Sequence, residues 1–336
     1  MKMYIEKLCN REHLSREEAN EVMRNIMEGK ASDAQIASLL IALKFNGEMP
    51  EEIIGFVEVM REKSVKVNID DPEAIDMCGT GGDGTGTFNI STAASFVVAG
   101  AGVTVAKHGN RSISSSCGSA DVLKALGVNI ELAAEKVEYS INKIGIGFLF
   151  APMFHPAMKH AAKSRSELGV KTCFNILGPM TNPAGVKRQL VGAFNDEVAV
   201  SLASVFLQMG SKKVCVVHST DGLDEISLAA PTRIYEVTEA TTMRSYSVDA
   251  KSFALPEASR SDILGGNAET NAAIITNILQ GKRGPHRDIV IANAAVGLYV
   301  SDKVQSLHEG VSLAAESIDD GSALNKLKHL IEYSNQ

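Results

Sequence analysis

The sequence lacks the features of a disulfide scaffold, a nucleic-acid coat or a membrane span. Its 336 residues include no tryptophan and only five cysteines, none of them in a C-x-x-C pair, and the net charge is -7. Scattered cysteines of this kind are typical of reduced thiols in a cytoplasmic protein, and the acidic balance disfavours a nucleic-acid-coating protein, which normally carries a basic patch. The N-terminus is too charged for a signal peptide, and the longest apolar passage, 93–105, is too short to span a bilayer. We therefore expect a cytoplasmic protein with no nucleic-acid or membrane partner.

Hydrophobic residues make up 45% of the chain and charged residues 22%, proportions that exclude intrinsic disorder. At roughly 100–200 residues per domain, the length predicts about two domains. The N-terminal part, up to about residue 65, is predicted to be entirely helical. Ser15 and Ser32 each begin a capping box, and Pro50 suits the first turn of a further helix.

From about residue 75 onward, short apolar runs alternate with helical patterns. Strands that alternate with helices predict a mainly parallel sheet with helices on both faces. Ligands of such sheets bind beyond the carboxyl ends of the strands, so the loops that follow the runs are the candidate sites. The predicted strands are Ile75–Cys78, Val103–Ala106, Gly147–Phe150, Leu190–Ala193 and Val214–Val217.

The glycine-rich segment 79–87 lies between the first predicted strand and a predicted helix. Gly79, Gly81 and Gly84 match the G-x-G-x-x-G dinucleotide fingerprint, but the acidic residue expected about 20 positions on is replaced by the basic pair Lys107-His108. A P-loop is excluded because no lysine follows the glycines where that motif needs one. The segment therefore predicts an anion site made of loop amides and a helix N-terminus. A glycine-rich turn without a catalytic role is the less favoured alternative.

A basic segment follows the second predicted strand. Lys107 and Arg111 can form charge-assisted hydrogen bonds to phosphate, and the serines of 112–119 add further donors. A lone basic pair is usually a solvated surface. This pair, however, ends a strand of the same predicted sheet as the glycine-rich segment, so the two loops should lie side by side and form an anion cradle.

A third candidate segment follows the strand predicted at Val214–Val217 and contains Asp221, Asp224 and Glu225. Adjacent carboxylates suit Mg²⁺, which binds a few carboxylates together with waters and substrate phosphates. On its own such a turn is more often solvated than metal-binding. Beside a phosphate cradle, metal binding is the better interpretation.

Together these motifs resemble the anthranilate phosphoribosyltransferase family, in the family order and over nearly the whole chain. The resemblance rests on 79–83 (GTGGD), 89–92 (NIST), 107–111 (KHGNR), 118–123 (GSADVL), 154–156 (FHP), Arg165, 175–179 (NILGP), 181–183 (TNP), 221–225 (DGLDE), 265–268 (GGNA) and 293–295 (NAA).

The resemblance implies a small all-helical N-terminal domain packed on a larger α/β domain with a mainly parallel central sheet. It places the helical domain at 1–70, joined by helical segments near 155–180, and the α/β domain at 71–336. It further implies a homodimer that transfers the phosphoribosyl group of 5-phosphoribosyl 1-pyrophosphate to the amine of anthranilate, in tryptophan biosynthesis. About two Mg²⁺ ions per chain are expected from the resemblance, in keeping with two-metal phosphoryl sites.

The resemblance also implies residue roles. The catalytic set would be Lys107, His108, Asn110 and Arg165. The phosphoribosyl pyrophosphate ligands would be Gly79, Gly82, Asp83, Thr87, Asn89, Ile90, Ser91, Thr92, Lys107, His108, Gly109, Asn110, Arg111, Ser112, Ile113, Ser114, Ser115 and Ser119. Gly79, Asn110, His155 and Arg165 would contact anthranilate, and the magnesium ligands would be Ser91, Asp224 and Glu225.

Two features of this assignment stay open. His108 and His155 would contact the acceptor or move its proton, or would be structural. Ser116 stands where many relatives carry a basic residue, which puts the strength of phosphate binding in question.

Three other functions remain alternatives: a pyrimidine-nucleoside phosphorylase of the same architecture, a non-enzymatic nucleic-acid-binding relative, and a transferase that uses a different aromatic amine. The phosphorylases normally carry a different glycine loop. Asp224, Glu225 and Arg165, together with the net negative charge, disfavour the nucleic-acid-binding relative. The sequence excludes the third least well.

Overall fold

The computed structural model describes residues 1–111, 117–239 and 242–336. The helices of this part of the chain are α1 (Lys2–Cys9), α2 (Arg16–Met27), α3 (Asp33–Asn46), α4 (Pro50–Lys63), α5 (Ile90–Gly100), α6 (Ser119–Ala125), α7 (Ala134–Tyr139), α8 (Ala151–Phe154), α9 (Lys159–Leu168), α10 (Phe174–Leu177), α11 (Asp196–Gln208), α12 (Ala268–Leu279), α13 (Pro285–Val300), α14 (Leu307–Asp319) and α15 (Ser322–Ser334). The strands are β1 (Ile75–Gly79), β2 (Val105–Gly109), β3 (Ile146–Phe150), β4 (Arg188–Gly192), β5 (Lys213–Ser219), β6 (Thr232–Thr238) and β7 (Thr242–Val248).

The predicted helical N-terminal region is confirmed, and its caps form as the spacing indicates. Ser15 Oγ accepts a hydrogen bond from Glu18 N at 3.3 Å, and Glu18 Oε2 accepts one from Ser15 N at 2.8 Å. Ser32 caps α3 in the same reciprocal way, and Pro50 occupies the first turn of α4. These bonds satisfy backbone amides that a helix N-terminus leaves unpaired, which fixes where each helix begins.

The seven described strands form one sheet in the order β3-β2-β1-β4-β5-β6-β7. The pairings from β3 to β5 are parallel, and β6 and β7 are antiparallel, so the predicted mainly parallel sheet is confirmed. The chain runs outward from β1 to β3 on one side and from β4 to β5 on the other. The order therefore reverses between β1 and β4, and their carboxyl ends flank the crevice in which such sheets bind ligands.

Each strand predicted from an apolar run is present, with shifted ends. The second begins at Val105 rather than Val103 and extends through Lys107 to Gly109. The hairpin β6–β7 was not predicted. Most side chains of β7 are exposed and Val248 is its buried residue, so the strand gives no apolar run in the sequence.

Two large buried clusters cover the two faces of the sheet. One includes Met77 of β1 with Phe96 of α5 and Val296 of α13. The other continues from the N-terminal helices to Phe174 of α10 and Phe206 of α11. Because the second cluster is continuous, the helical bundle is packed against the α/β domain beside β4 and β5. No helix of the described residues is long and apolar enough to cross a membrane.

Candidate active site

The glycine-rich loop leaves the end of β1 in a conformation that its glycines make possible. Gly81, Gly82 and Gly84 have φ values of 63°, 76° and 69°, in the left-handed region where a side chain is strained. The base of the loop is tied to the end of β4, because Thr80 N donates to Gly192 O at 2.9 Å. The tip thus projects over the crevice between β1 and β4.

The tip presents unpaired backbone donors. Among the described residues, the amides of Gly81, Gly82, Asp83 and Gly84 have no hydrogen-bond acceptor. Successive free amides in a curled loop form a concave site that favours an anion. This arrangement supports the anion site predicted from the glycines.

Lys107 lies inside β2 and is buried beneath the first turn of α5. Its ammonium donates to Met77 O and to Ser91 Oγ, the latter at 3.3 Å. Burial lowers the pKa of Lys107. The sequence placed this lysine at the start of a loop, whereas the structure holds it between two strands and a helix, where its charge acts through a low-dielectric interior.

Three carboxylates converge at the carboxyl ends of β1, β4 and β5. Asp83 is in the glycine loop, and Asp224 and Glu225 are in the turn after β5. Burial raises the pKa of Asp224 well above its usual range, and the neighbouring Asp83 and Glu225 carboxylates raise it further. Burial also raises the pKa of Glu225, to about 7, against the opposing effects of Lys107 and of the Ser91 N–H group. Crowding three acids into this buried site therefore disfavours the ionised forms of Asp224 and Glu225.

This donor set fits magnesium. Within the described ranges, no three His, Cys, Asp or Glu side chains form a ready-made metal cage. Mg²⁺ seldom uses such a cage, since it binds one or two carboxylates and completes its shell with waters and substrate phosphates. Carboxylates that repel one another beside free amides are suited to a cation that arrives with a phosphorylated ligand.

Glycines hold these acids in place. A Cβ on Gly79 would lie 3.1 Å from Asp224 Oδ2, and one on Gly192 would overlap the carbonyl oxygen of Asp224. Any larger residue at either position would displace the acidic turn. Asp221, from the same predicted motif, instead holds the turn itself, accepting from Leu223 N at 3.3 Å and from Ser227 Oγ at 2.8 Å.

Arg165 lies on α9 at the other side of the crevice, with its guanidinium 5.0 Å from the centroid of the Phe174 ring. Burial lowers the pKa of Arg165. No described carboxylate forms an ion pair with it. A partly buried cation without a counter-ion is suited to a ligand carboxylate.

His108 and His155 form a buried pair whose ring centroids are 5.3 Å apart. Burial lowers the pKa of His108 to about 3 and that of His155 to about 4, so both rings are neutral near pH 7. His108 Nδ1 is 3.2 Å from Gly178 O, which can only accept, so Nδ1 carries the proton and Nε2 keeps a lone pair. Among the described residues, Nε2 of each ring is buried without a hydrogen-bond partner. Orphaned acceptors of this kind call for a ligand donor.

The other predicted site residues surround the start of α5. Asn89 Nδ2 donates to Cys117 O at 3.0 Å, and Asn89 Oδ1 accepts from Asn271 at 3.1 Å. Thr92 has a buried hydroxyl with no hydrogen-bond partner in the part of the chain that the structure describes. Further members of the predicted set lie in or beside the loops after β1 and β2: Thr87, Ile90, Ser91, Gly109, Asn110 and Ser119.

Arg111 departs from the expected geometry. Its guanidinium lies near Asp121 at 3.7 Å and Glu131 at 3.6 Å, and the side chain is 47% exposed. In this conformation its charge is shared with two acids rather than turned to the glycine loop. The predicted ligands Ser112, Ile113, Ser114 and Ser115, and the neighbouring Ser116, lie outside the described residues.

Sequence reasoning missed Lys171 and the role of Asp83 in the acidic cluster. Lys171 Nζ donates to Gly82 O at 2.7 Å and lies 3.6 Å from the centroid of the Phe194 ring. Neither contact has a sequence signal, because both join segments that are distant along the chain.

Two family models match the chain. The one described as "Glycosyl transferase family, helical bundle domain" matches residues 2–64, and the one described as "Glycosyl transferase family, a/b domain" matches residues 71–324. The chain is 51% identical over 334 residues to the anthranilate phosphoribosyltransferase of Pelotomaculum thermopropionicum, an alignment that covers 99% of this chain and 96% of the relative.

Solved structures agree with these matches. The crystal structure of anthranilate phosphoribosyltransferase from Thermus thermophilus superposes with a TM-score of 0.93 at 41% identity, covering 99% of each chain. The enzyme from Saccharomyces cerevisiae, solved in complex with phosphoribosyl pyrophosphate and Mg, superposes with a TM-score of 0.91 at 28% identity, covering 99% of this chain and 97% of the other.

Proposed function

The chain belongs to the anthranilate phosphoribosyltransferase family, and from this premise we propose that it transfers phosphoribosyl from 5-phosphoribosyl 1-pyrophosphate to the amine of anthranilate at the crevice between β1 and β4. The family and enzyme class expected from the motifs are confirmed by the relatives. The observation that carries the assignment to this crevice is the convergence of three carboxylates beside four free loop amides. Pyrophosphate bound with Mg²⁺ is a ligand that uses both.

The donor would bind through its phosphates. The amides of Gly81–Gly84 and the N-terminus of α5 supply backbone donors to anionic oxygens. Lys107, whose ammonium already lies against Ser91, adds a buried positive charge below them. The unpaired hydroxyl of Thr92 offers a further donor.

Magnesium would be held by Asp224 and Glu225, with Ser91 at its side. When bound, Mg²⁺ acts as a Lewis acid that neutralises charge on the departing pyrophosphate. About two ions per chain are expected from the family resemblance. Burial raises the pKa of Glu225 to about 7, and Lys107 and the Ser91 N–H group oppose that rise by favouring the ionised ligand.

The acceptor would be oriented by Arg165 and the histidine pair. Arg165, which lacks a described counter-ion, would pair with the carboxylate of anthranilate. The lone pair of His108 Nε2 can accept an N–H bond from the amine, and His155 Nε2 offers a second acceptor. The role of Asn110 stays a prediction, since its Oδ1 accepts from Arg111 N at 2.8 Å.

In the reaction, the amine nitrogen forms a bond to the anomeric carbon as the bond from that carbon to the pyrophosphate oxygen breaks, with inversion. The nitrogen, which carries a positive charge after the attack, then loses one proton to solvent. An aromatic amine is nucleophilic when neutral, so orientation and neutralisation of the leaving group carry the catalysis, and orientation alone can contribute up to about 7–11 kcal/mol. Neutral imidazoles suit this site because they can accept the amine hydrogen bond without repelling Arg165.

The test is the loss of anthranilate fluorescence when the protein, phosphoribosyl pyrophosphate and Mg²⁺ are combined, with release of one pyrophosphate per anthranilate consumed. Omitting the donor or the metal should stop the loss. Phosphorolysis of thymidine or uridine, without anthranilate consumption, would contradict the proposal. Aniline and other aromatic amines, offered in place of anthranilate, test the acceptor.

We also propose that the enzyme is a homodimer that buries an apolar surface of the helical domain. Met3, Ile41 and Phe45 are 62%, 43% and 72% exposed on α1 and α3, which pack against each other. Exposed aromatic and aliphatic side chains on adjacent helices are unusual for a monomer. Light scattering should give the mass of two chains, and Phe45→Glu should give the mass of one with activity retained.

We propose the domain division expected from the sequence, with the helical domain at 1–70 and its partner segments near 155–180. Its support is that α9 packs on α3 through Lys163 Nζ to Asp33 Oδ2 at 2.8 Å and Ser164 Oγ to Asp33 Oδ1 at 3.2 Å. The domain division predicts that limited proteolysis cuts the chain within 65–74.

A cytoplasmic location is consistent with the five unpaired cysteines. The cytoplasmic location predicts that the activity is found in the soluble cell fraction.

A further inference from the structure

We propose that Lys171 is a positioning residue that holds the glycine loop in its anion-binding conformation from the acceptor side of the crevice. This inference rests on the proposed donor site. It concerns how the loop amides come to face the anion, and it assigns that role to a residue in none of the motifs that identify the family.

Lys171 lies in the short segment between α9 and α10. The same segment follows the helix that carries Arg165, and α9 is tied to α3 through Asp33. From there the lysine reaches the loops after β1 and β4: its Nζ donates to Gly82 O at 2.7 Å and lies 3.6 Å from the centre of the Phe194 ring. A single side chain thus joins the helical side of the crevice to the tip of the donor loop.

The bond to Gly82 O determines which way the next amide points. The chain has no cis peptide bond among its described residues, and in a trans peptide the C=O and N–H groups point in opposite directions. With the Gly82 carbonyl turned to Lys171, the N–H group of Asp83 is directed away from it. That N–H group has no acceptor within the described residues and is therefore available to a ligand.

The loop needs such a constraint because its glycines do not provide one. Gly81, Gly82 and Gly84 adopt positive φ values with little steric restriction, and a Cβ at Gly81 or Gly84 would meet no atom within 4 Å. Among the described residues, Lys171 is the side chain from outside the loop that donates a hydrogen bond to a backbone carbonyl of the loop tip. Without it, the Gly82–Asp83 peptide can rotate, and its carbonyl oxygen would then repel a phosphate.

The position of the ammonium also suits the acidic cluster of Asp83, Asp224 and Glu225. Burial lowers the pKa of Lys171, whereas Asp83 and Asp224 raise it, so the lysine is close enough to both carboxylates to share their field. The aromatic face of Phe194 stabilises the same charge. The cation therefore lies among groups from three segments, the loops after β1, β4 and β5.

The test is the binding of pyrophosphate, the leaving group, in the presence of Mg²⁺ and the absence of anthranilate, measured by calorimetry on the full chain. Lys171→Met keeps an unbranched side chain that is one atom shorter and removes its donor, and it should weaken binding about tenfold. Lys171→Arg, which still donates to the carbonyl, should stay within about threefold of the unmodified protein. Lys163→Met is the matched control, because that lysine bridges the same helix to Asp33 without touching the loop, and it should leave binding unchanged.

Steady-state kinetics and thermal unfolding distinguish a positioning role of Lys171 from a structural one. Lys171→Met should raise the KM for phosphoribosyl pyrophosphate about tenfold and leave the KM for anthranilate within twofold, with an unchanged thermal midpoint. Gly81→Ala strains the adjoining peptide units of the same loop tip, so adding it to Lys171→Met should cost less than the sum of the two single losses.

Unchanged pyrophosphate binding in Lys171→Met, an equal loss in Lys163→Met, or additive losses in the double variant would overturn the proposal. Additivity would mean that the ammonium acts on the ligand independently of the loop. Because binding is measured without anthranilate, a protein that binds pyrophosphate but consumes no anthranilate would refute the proposed function and still decide the role of Lys171.

Discussion

The backbone N–H of Ser91 donates a hydrogen bond to Oε1 of Glu225 at 3.0 Å. This contact joins the first turn of α5 to the turn after β5 and holds an acid at a helix N-terminus. The helix dipole and the N–H group favour the ionised carboxylate there. Glu225 is thereby kept next to Lys107 and to the other acids, which are the groups that the proposed pyrophosphate site needs.

Replacing one acid of the acidic cluster should stabilise the metal-free protein. The same replacement should abolish the response of the protein to magnesium. Asp224→Asn keeps the shape of the side chain but relieves its repulsion with Asp83 and Glu225. We expect a thermal midpoint that is higher without Mg²⁺ and no longer rises when Mg²⁺ and pyrophosphate are added. A variant with unchanged metal dependence would exclude Asp224 as a ligand.

Gly81→Ala should weaken the binding of phosphoribosyl pyrophosphate. A Cβ there meets no atom within 4 Å, so the cost is the strain of a positive φ, about 1–2 kcal/mol. If the loop changes conformation to relieve that strain, its amide N–H groups would no longer point toward the anion. Gly210→Ala is the matched control, since Gly210 has a φ of 67° and equally open surroundings outside the site. Equal KM values for the donor in the two variants would argue against an amide site.

Arg165→Ala should raise the KM for anthranilate far more than that for the phosphoribosyl donor. Loss of a hydrogen-bonded charge pair costs about 1.5–3 kcal/mol, or roughly ten- to hundredfold. Aniline, which lacks the carboxylate, serves as the control acceptor, and its slow turnover should be the same with and without Arg165. An equal rise in both KM values, or an equal loss of turnover with aniline as the acceptor, would show that Arg165 does not bind the anthranilate carboxylate.

The buried histidines should make the protein less stable in mild acid. The pKa values of His108 and His155 fall from 6.5 to about 3 and about 4 on folding, so the unfolded chain binds more protons between about pH 4 and 6.5. The free energy of unfolding therefore falls as the pH is lowered through that window, by up to about 2 kcal/mol per histidine between pH 7 and 5.

Urea unfolding at several pH values measures this dependence. His155→Gln should remove part of it, whereas His329→Gln, at an exposed position, should not. A free energy of unfolding that is the same at pH 7 and pH 5 would show that the two rings are not held neutral by burial.

Local features of the fold were predicted well, because neighbouring residues form them. The caps at Ser15 and Ser32 depend on bonds across three residues, and the spacing of serine and its glutamate or glutamine partner is visible in the sequence. The buried parallel strands were found because both of their faces are apolar. Strand β7 was not, since its side chains are mostly exposed and it is held by pairing with β6.

For the site, the residue types that carry the chemistry can be read from the sequence: glycines that permit a curled loop, a lysine in a basic segment, two adjacent acids and an arginine. Tertiary structure decided which of them meet. The packing of strands and helices brings Asp83 to Asp224, Arg111 to Asp121 and Glu131, and Lys171 to Gly82. Spacing along the chain fixes hydrogen bonds within a turn or a helix, whereas contacts between distant segments depend on how the sheet and helices pack, which no local pattern encodes.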